Sequence, residues 1–290
     1  MGRAARAGRR TPSGTGAGGL SDILAGQPSD EALLAELYDL EHDEIADDLV
    51  FYREHARRHR GAVADLGCGS GRLFRPFADG GASRILGIDG SPALLHRAEA
   101  RIGSDGMLQR MRDEGRIELA EGDVRTVRRR DRFRLVVLAG VIAHLDGPED
   151  CLRTLSAAAR LLDRDGWLIV DTIGPGGLPP RDLPLSVDWE RRMGDRRVIR
   201  RSALVRRETP DGLHVAYSTL TDVIEPDGTM GRLPAGFRLW YPSPTALIGL
   251  AEEAGLAVEA GYGSHDLDPL DNESERCIVV LRRTADPGSG

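Results

Sequence analysis

Three glycines at alternate positions, Gly67, Gly69 and Gly71, directly follow the short apolar run Ala62–Leu66 and precede a helical stretch that opens at Arg72. Glycine lets backbone approach a ligand closely, and a loop that opens a helix leaves free N–H groups facing it. Asp65 stands two positions before the first glycine. The loop therefore reads G-x-G-x-G behind an acid, not the G-x-G-x-x-G of dinucleotide-binding loops. Further carboxylates close the next apolar runs: Asp89 ends Arg84–Asp89, and Asp123 lies in Glu121-Gly-Asp-Val124. A carboxylate at such a place can accept two hydrogen bonds from one ligand. Asp123 can equally serve as a turn residue. His144 sits just beyond a fourth run, Leu135–Leu138. Parallel sheets open their ligand crevice there, and an imidazole titrates near neutrality. It can act as an acid or base, or only position a substrate.

The segment Asp65-Leu-Gly-Cys-Gly-Ser-Gly-Arg72 resembles the first motif of the class I methyltransferases that use S-adenosylmethionine, and its companions resemble that family over about 110 residues. The resemblance implies S-adenosylmethionine as cofactor. It assigns Asp65, Gly67, Gly69 and Gly71 to the cofactor loop, and Asp89 with Gly90 to the ribose hydroxyls. Asp123 and Val124 would meet the adenine, and Ala139, with the segment through Leu145, would lie beside the sulfonium. Arg72 is a candidate for the methionine carboxylate, or a helix-surface arginine. Cys68 reads as a small buried filler.

Methyl transfer is an in-line displacement, so the acceptor must be held at attack distance, often with a base for its proton. His144 and Tyr38 are the catalytic candidates. The stretch Leu37-Tyr-Asp-Leu-Glu-His42 resembles the entry of bacterial methyltransferases from antibiotic and amino-sugar pathways, where a tyrosine approaches the cofactor. Tyr38 is therefore also a cofactor-binding candidate. Tyr52, Glu41, Trp189, Trp240 and His265 are candidates for the acceptor site, with His42 and Asp266 behind them. Aromatic residues in these places can also be plain core.

Five short apolar runs separated by helical stretches (Arg72 to Ala78, Pro92 to Ile102, Pro148 to Leu162) point to βαβ units and a parallel sheet buried on both faces. The pairs Ser91-Pro92 and Ser243-Pro244 each place serine at an N-cap and proline at the first helical position. The fold class is thus α/β, a doubly wound sheet, and the resemblance implies a seven-stranded Rossmann-like one with its last strand antiparallel. Strand-like runs at Val198–Arg206, Leu213–Val223 and Phe237–Tyr241, with Asp211-Gly212 and Asp227-Gly228 as hairpin turns, form an antiparallel insertion. The expected divisions are a disordered tail at 1–28, a helical cap at 29–60, a core at 61–173, an antiparallel lid or dimer surface at 174–242, and completion of the sheet at 243–290.

All 39 basic residues of the 290 are arginine, so no lysine can serve as base or Schiff-base former. The net charge of −7 gives no basic footprint for nucleic acid, and no apolar run approaches bilayer length. Three cysteines without metal-ligand spacing suit a reducing cytoplasm and suggest no metal. The expectation is a cytoplasmic enzyme with a small-molecule acceptor, no nucleic-acid or membrane partner, and a possible homodimer. N-, O- and C-methylation stay open. A nicotinamide oxidoreductase and a non-catalytic cofactor-binding regulator are the rivals.

Overall fold

The computed structural model describes residues 31–284. The expected tail at 1–28 lies outside the described residues. Two helices come first, α1 (Glu31–His42) and α2 (Leu49–His59). The alternating part then runs β1 (Ala62–Leu66), α3 (Phe74–Asp79), β2 (Arg84–Asp89), α4 (Pro92–Ser104), α5 (Gly106–Asp113), β3 (Ile117–Glu121), β4 (Phe133–Ala139), a 3-10 turn (Ile142–His144), α6 (Pro148–Leu161) and β5 (Leu162–Ile173). Four long strands follow: β6 (Leu183–Met193), β7 (Arg196–Thr209), β8 (Gly212–Ile224) and β9 (Met230–Tyr241). The chain closes with α7 (Pro244–Glu253), β10 (Leu256–Tyr262) and β11 (Arg276–Arg283).

The main sheet has the order β10-β11-β5-β4-β1-β2-β3. Its first five strands in sequence pair in parallel, and β11 runs antiparallel to both neighbours. Side chains alternate across the pleat and both faces are covered. Val63, Ile85, Leu135, Val137 and Ile169 pack toward α2, α3, α4 and α5. Ala64, Leu66, Leu86, Val136, Leu138 and Leu168 pack toward α6 and α7. This double burial is why the strands read as unbroken apolar runs. Ser91 and Ser243 cap α4 and α7 as expected, accepting from Leu94 N and Ala246 N.

Two elements escaped the sequence reading. Helix α5 is only eight residues long, and Asp105 starts it by accepting from Met107 N and Leu108 N. Strand β6 follows a proline-rich loop and itself contains Pro184. It is the edge of the second sheet, order β6-β7-β8-β9, where a missing N–H is tolerated. Among the described residues no helix is long and apolar enough to cross a membrane.

The loop between β1 and α3 has left-handed backbone at Gly67 (φ +77°) and Gly69 (φ +55°). A Cβ at Gly67 would sit 2.4 Å from Val141, and one at Gly69 3.0 Å from the Tyr38 hydroxyl. Left-handed backbone costs an L-residue about 1–2 kcal/mol. Gly69→Ala is therefore expected to lower Tm by roughly 2–4 °C per kcal/mol lost. Gly103→Ala, inside α4, where a Cβ would make only an ordinary contact with Gln109 Oε1 at 3.7 Å, is expected to raise it slightly. A calorimetric scan of both variants checks this.

Helix α2 buries two histidines, with His55 against Phe51 at 4.4 Å and His59 against Trp167 at 4.6 Å. The His55 Nδ1 and His59 Nε2 atoms are buried without a hydrogen-bond partner. Burial, followed by the charge of Arg58 for His55 and of His55 itself for His59, pushes both down to about 4. A folded value below the unfolded one means that the unfolded chain takes up protons first. Stability is complete above about pH 6.5 and is lost as pH falls toward 4, by up to about 1.4 kcal/mol per pH unit for each ring. Asp65, raised to about 7 by burial and then by the Asp89 charge, works in the opposite sense over much of that window. Replacing both rings by phenylalanine is expected to flatten the acid side of the stability curve. Equal slopes for wild type and the double variant, in urea titrations from pH 7 to 4.5, would refute it.

Candidate active site

The carboxyl ends of β1, β2 and β4 converge on one crevice. The Gly67 and Cys68 N–H groups donate to Ile88 O, which ties the glycine loop to β2. Asp89 tightens the same junction, because its Oδ2 accepts from Gly69 N and its Oδ1 from Ser91 N, both at 2.8 Å. At the end of β4, Gly140 is left-handed (φ +73°), and the space a Cβ would fill there is open. Asp65 is buried below the loop. The Cys68 thiol is pushed up by burial, so it is a filler and no nucleophile.

A bare glycine cradle, an acid with spare acceptor capacity and open space at Gly140 fit a nucleoside-bearing ligand such as S-adenosylmethionine. In that fit Asp89 and the neighbouring Gly90 would meet the ribose, and Gly122, Asp123 and Val124 would border the base. The Asp123 carboxylate is gripped by Arg125 through both oxygens at 2.8–3.0 Å, so it enters any such contact already paired. Arg72 is a correction. Its guanidinium is forked onto Asp48, at 2.8 and 2.5 Å, and donates to Ile45 O, so it ties the start of α2 to the loop and is not presented to a methionine carboxylate.

Helix α1 roofs this crevice. Asp39 meets Arg97 and Arg101 of α4, and Arg101 also donates to Ser70 O at 2.9 Å. These ties set Tyr38 over Gly69. Burial, offset by the nearby Arg72 charge, pushes the Tyr38 phenol up to about 12. Tyr38 therefore stays protonated and can donate but not act as a base. On its other side α1 faces the four-stranded sheet, to which Arg196–Glu36 (2.8 Å) and Arg200–Glu41 ion pairs hold it, with Arg191–Glu44 (3.0 Å) just beyond its end.

Between α1 and that sheet lies a cleft of about 510 Å³. Tyr38, Glu41, His42, His144, Trp189 and Arg200 line it, with the apolar Leu34, Leu94, Phe237 and Leu239. The His144 ring is open to the cleft, whose walls lower its pKa by desolvation, against the charge of Asp89. Sequence reasoning passed over Arg200, Tyr217, Thr219 and Thr221. The three β8 residues alternate, which is the signal of one shared strand face. Arg200 donates to the Tyr217 hydroxyl at 2.8 Å and lies over the Trp189 ring. Among the described residues no group of three or more His, Cys, Asp or Glu is placed to hold a metal.

Three expected acceptor residues are elsewhere. Tyr52 is wholly buried on the α2 face and donates to Asp171 Oδ2 at 2.6 Å. His265 meets the same oxygen at 2.8 Å, and Arg276 holds Oδ1. Tyr52 and His265, with Arg276, thus saturate one buried carboxylate, and the two expected residues do not face the cleft. Trp240 is buried on the opposite face of the main sheet, within the core that α6 and α7 cover. It sits one register step from the residues that line the cleft, and neighbouring residues of a strand point to opposite sides.

Residues 63–166 match a family model described as a methyltransferase domain. A tRNA U34 carboxymethyltransferase of Marinobacter nauticus is 28% identical over 217 residues, 66% of this chain and 60% of that protein. A trans-aconitate 2-methyltransferase of Streptomyces avermitilis is 30% identical over 138 residues, 46% and 48% of the two chains. The chain thus spans about half the length of the relatives it matches in sequence. Among solved structures, the sugar N-methyltransferase KedS8 from Streptoalloteichus superposes with a TM-score of 0.63 at 19% identity, covering 98% of this chain and all of that one. The matched domain, the sheet order with its antiparallel last strand and the glycine cradle together show a methyltransferase domain over residues 63–166, on the seven-stranded Rossmann-like fold of the solved methyltransferases.

Proposed function

We propose that the chain transfers a methyl group to a nitrogen, oxygen or carbon atom of a small molecule, in specialised-metabolite biosynthesis. The cleft between α1 and the four-stranded sheet carries this reading. It is a walled space of about 510 Å³ with apolar sides and a few polar groups, the format of a small-molecule site. The S. avermitilis relative and the Streptoalloteichus enzyme bear small-molecule names, which favours the same class of acceptor. The net charge of −7 counts against a nucleic-acid substrate.

When bound, the cofactor supplies an electrophilic methyl group on a sulfonium. The chain's own residues hold, orient and shield. Asp89 fixes the ribose, the glycine loop lets backbone approach, and Tyr38 donates a hydrogen bond from the roof. Trp189, Leu94 and Phe237 exclude water around the acceptor. His144 takes the acceptor's proton, and its lowered pKa keeps the imidazole neutral and able to do so near pH 7.

Calorimetric titration with S-adenosylmethionine tests the cofactor half. Asp89→Ala is expected to weaken binding by roughly 30- to 150-fold, about 2–3 kcal/mol, for two lost hydrogen bonds to a charged group. Unchanged affinity would remove Asp89 from the site. Screening small molecules and tRNA for release of S-adenosylhomocysteine tests the acceptor half, and turnover with tRNA alone would overturn it. With the acceptor in hand, His144→Gln is expected to lower kcat by about 10²-fold or more while cofactor affinity stays within twofold. A change confined to KM would make His144 a binding group.

A further inference from the structure

On the cleft side of the inserted sheet, every second position of β8 from Val215 to Val223 reads valine, tyrosine, threonine, threonine, valine. The two ends are sealed by packing. Val215 is buried with Ala143 of the 3-10 turn and with Tyr241, and Val223 with Leu37 of α1 and with Val198. The three residues between them, Tyr217, Thr219 and Thr221, line the cleft, and each carries a hydroxyl. Valine and threonine share a branched shape and a preference for strands, and differ by a methyl group exchanged for a hydroxyl. The strand thus uses valine where its face is closed and hydroxyl-bearing residues over the cavity.

Thr219 and Thr221 are only 5% and 6% exposed, yet among the described residues neither hydroxyl has a hydrogen-bond partner. The Thr172 hydroxyl is sealed in the core without a partner. Those of Thr219 and Thr221 are not sealed, and the space they open onto is the cleft. Their cross-strand neighbours leave them bare. Thr219 lies between Ser202, whose hydroxyl donates to Asp188, and the small Ala235; Thr221 lies between Arg200 and Leu233. Arg200 is itself engaged by Glu41 and by the Tyr217 hydroxyl. That hydroxyl accepts from Arg200, so its own hydrogen is left to donate. An unpaired hydroxyl in so closed a wall adds nothing to the fold, since valine would fill the place with no polar group to desolvate.

We propose that Thr219 and Thr221, with Tyr217, form a hydroxyl row that binds the methyl acceptor along the edge facing the inserted sheet, and that the acceptor carries hydroxyl, carbonyl or ether oxygens on that edge. This rests on the methyltransferase reading of the cleft. Residues two apart on one strand face are separated by about 7 Å, so the row reads an acceptor at several points and not at one. A hydroxyl can both donate and accept, which suits each of these oxygen types and needs no charge. An acceptor with an apolar edge would leave two buried hydroxyls unpaired, and that penalty is the source of selectivity. The row belongs to the inserted sheet, whereas Tyr38 and His144 come from the elements around the glycine loop. The threonines therefore bind and select the acceptor and take no part in moving its proton.

The test uses the full-length chain with Thr219→Val, Thr221→Val and the double variant, and Thr219→Ser and Thr221→Ser as conservative controls. With S-adenosylhomocysteine and no acceptor, the valine variants are expected to melt at or above the wild-type Tm. A fall of more than about 2 °C would show that the hydroxyls support the fold, and overturns the proposal. The S-adenosylhomocysteine-release screen is then run on matched pairs, each an oxygen-rich compound and its counterpart with those oxygens replaced by hydrogen. Each valine substitution is expected to raise KM for the oxygen-rich member about tenfold, with kcat within about twofold, and serine to restore it. The preference within a pair is expected to vanish in the double variant. Equal KM for both members in the wild type, or a loss that serine does not restore, overturns the row and leaves the methyltransferase reading in place. Absence of turnover with every compound would instead count against the proposed function. Saturation-transfer resonance with the same pairs, S-adenosylhomocysteine present, then decides on the row alone. Binding of the oxygen-rich members that the double variant loses supports it, and equal binding or none overturns it.

Discussion

The turn between β1 and α3 has to reverse within a few residues while leaving no side chain in the crevice. That is possible only because Gly67 and Gly69 accept left-handed backbone where a Cβ would collide with Val141 or with Tyr38. Everything above the sheet is arranged against this turn. Asp89 clamps it from β2 through Gly69 N, Arg101 holds its far side at Ser70 O, and Arg72 leaves it to tie down the start of α2. The Tyr38 hydroxyl rests where the missing side chain would be, so the roof helix is seated by the absence of a methyl group.

A second layer of organisation is ionic. Helix α1 lies between two structures that share no strand, and arginine–carboxylate pairs join it to both. Arg97 and Arg101 reach it from the core, and Arg191, Arg196 and Arg200 reach it from the inserted sheet. Most of these pairs are partly open to solvent, where each contributes little on its own. Arg200 is the exception, since it is buried in the cleft wall and positions Glu41, Tyr217 and Trp189 together. The same helix thus covers the glycine-loop crevice with one turn and walls the cleft against the four-stranded sheet with another.

Buried carboxylates divide the labour. Asp171 is saturated by Tyr52, His265 and Arg276, which lock α2, β5 and the segment before β11 into one unit. Asp65 lacks such a set of partners and is pushed up to about 7. Asp89 stands between these extremes. It is half-buried, engaged by two backbone N–H groups and still open to a ligand. That difference in saturation separates a carboxylate that builds the fold from one that can serve a site.

The alternation of strands and helices, the helix caps at Ser91 and Ser243, the glycine loop and the places of Asp89, Asp123 and His144 were all legible in the sequence. Each is a local property, set by the apolar run that ends a few residues away. Helix α5 and strand β6 were not, since one is short and the other is an exposed edge broken by proline, and neither leaves a strong periodic signal. The family resemblance marked Tyr52, His265 and Arg72 as chemically able, and residue type marked Trp240, but neither could say which partner each would meet. Asp171 claims the first two and Asp48 claims Arg72, while the pleat of β9 turns Trp240 into the core. Conversely, Arg200, Tyr217, Thr219 and Thr221 became cleft residues only through the pairing of β7 with β8 and the docking of that sheet face on α1. Residue types and their local order are written in the chain. The identity of a polar side chain's partner is decided across distances of up to 160 residues, by register and packing that no local pattern encodes.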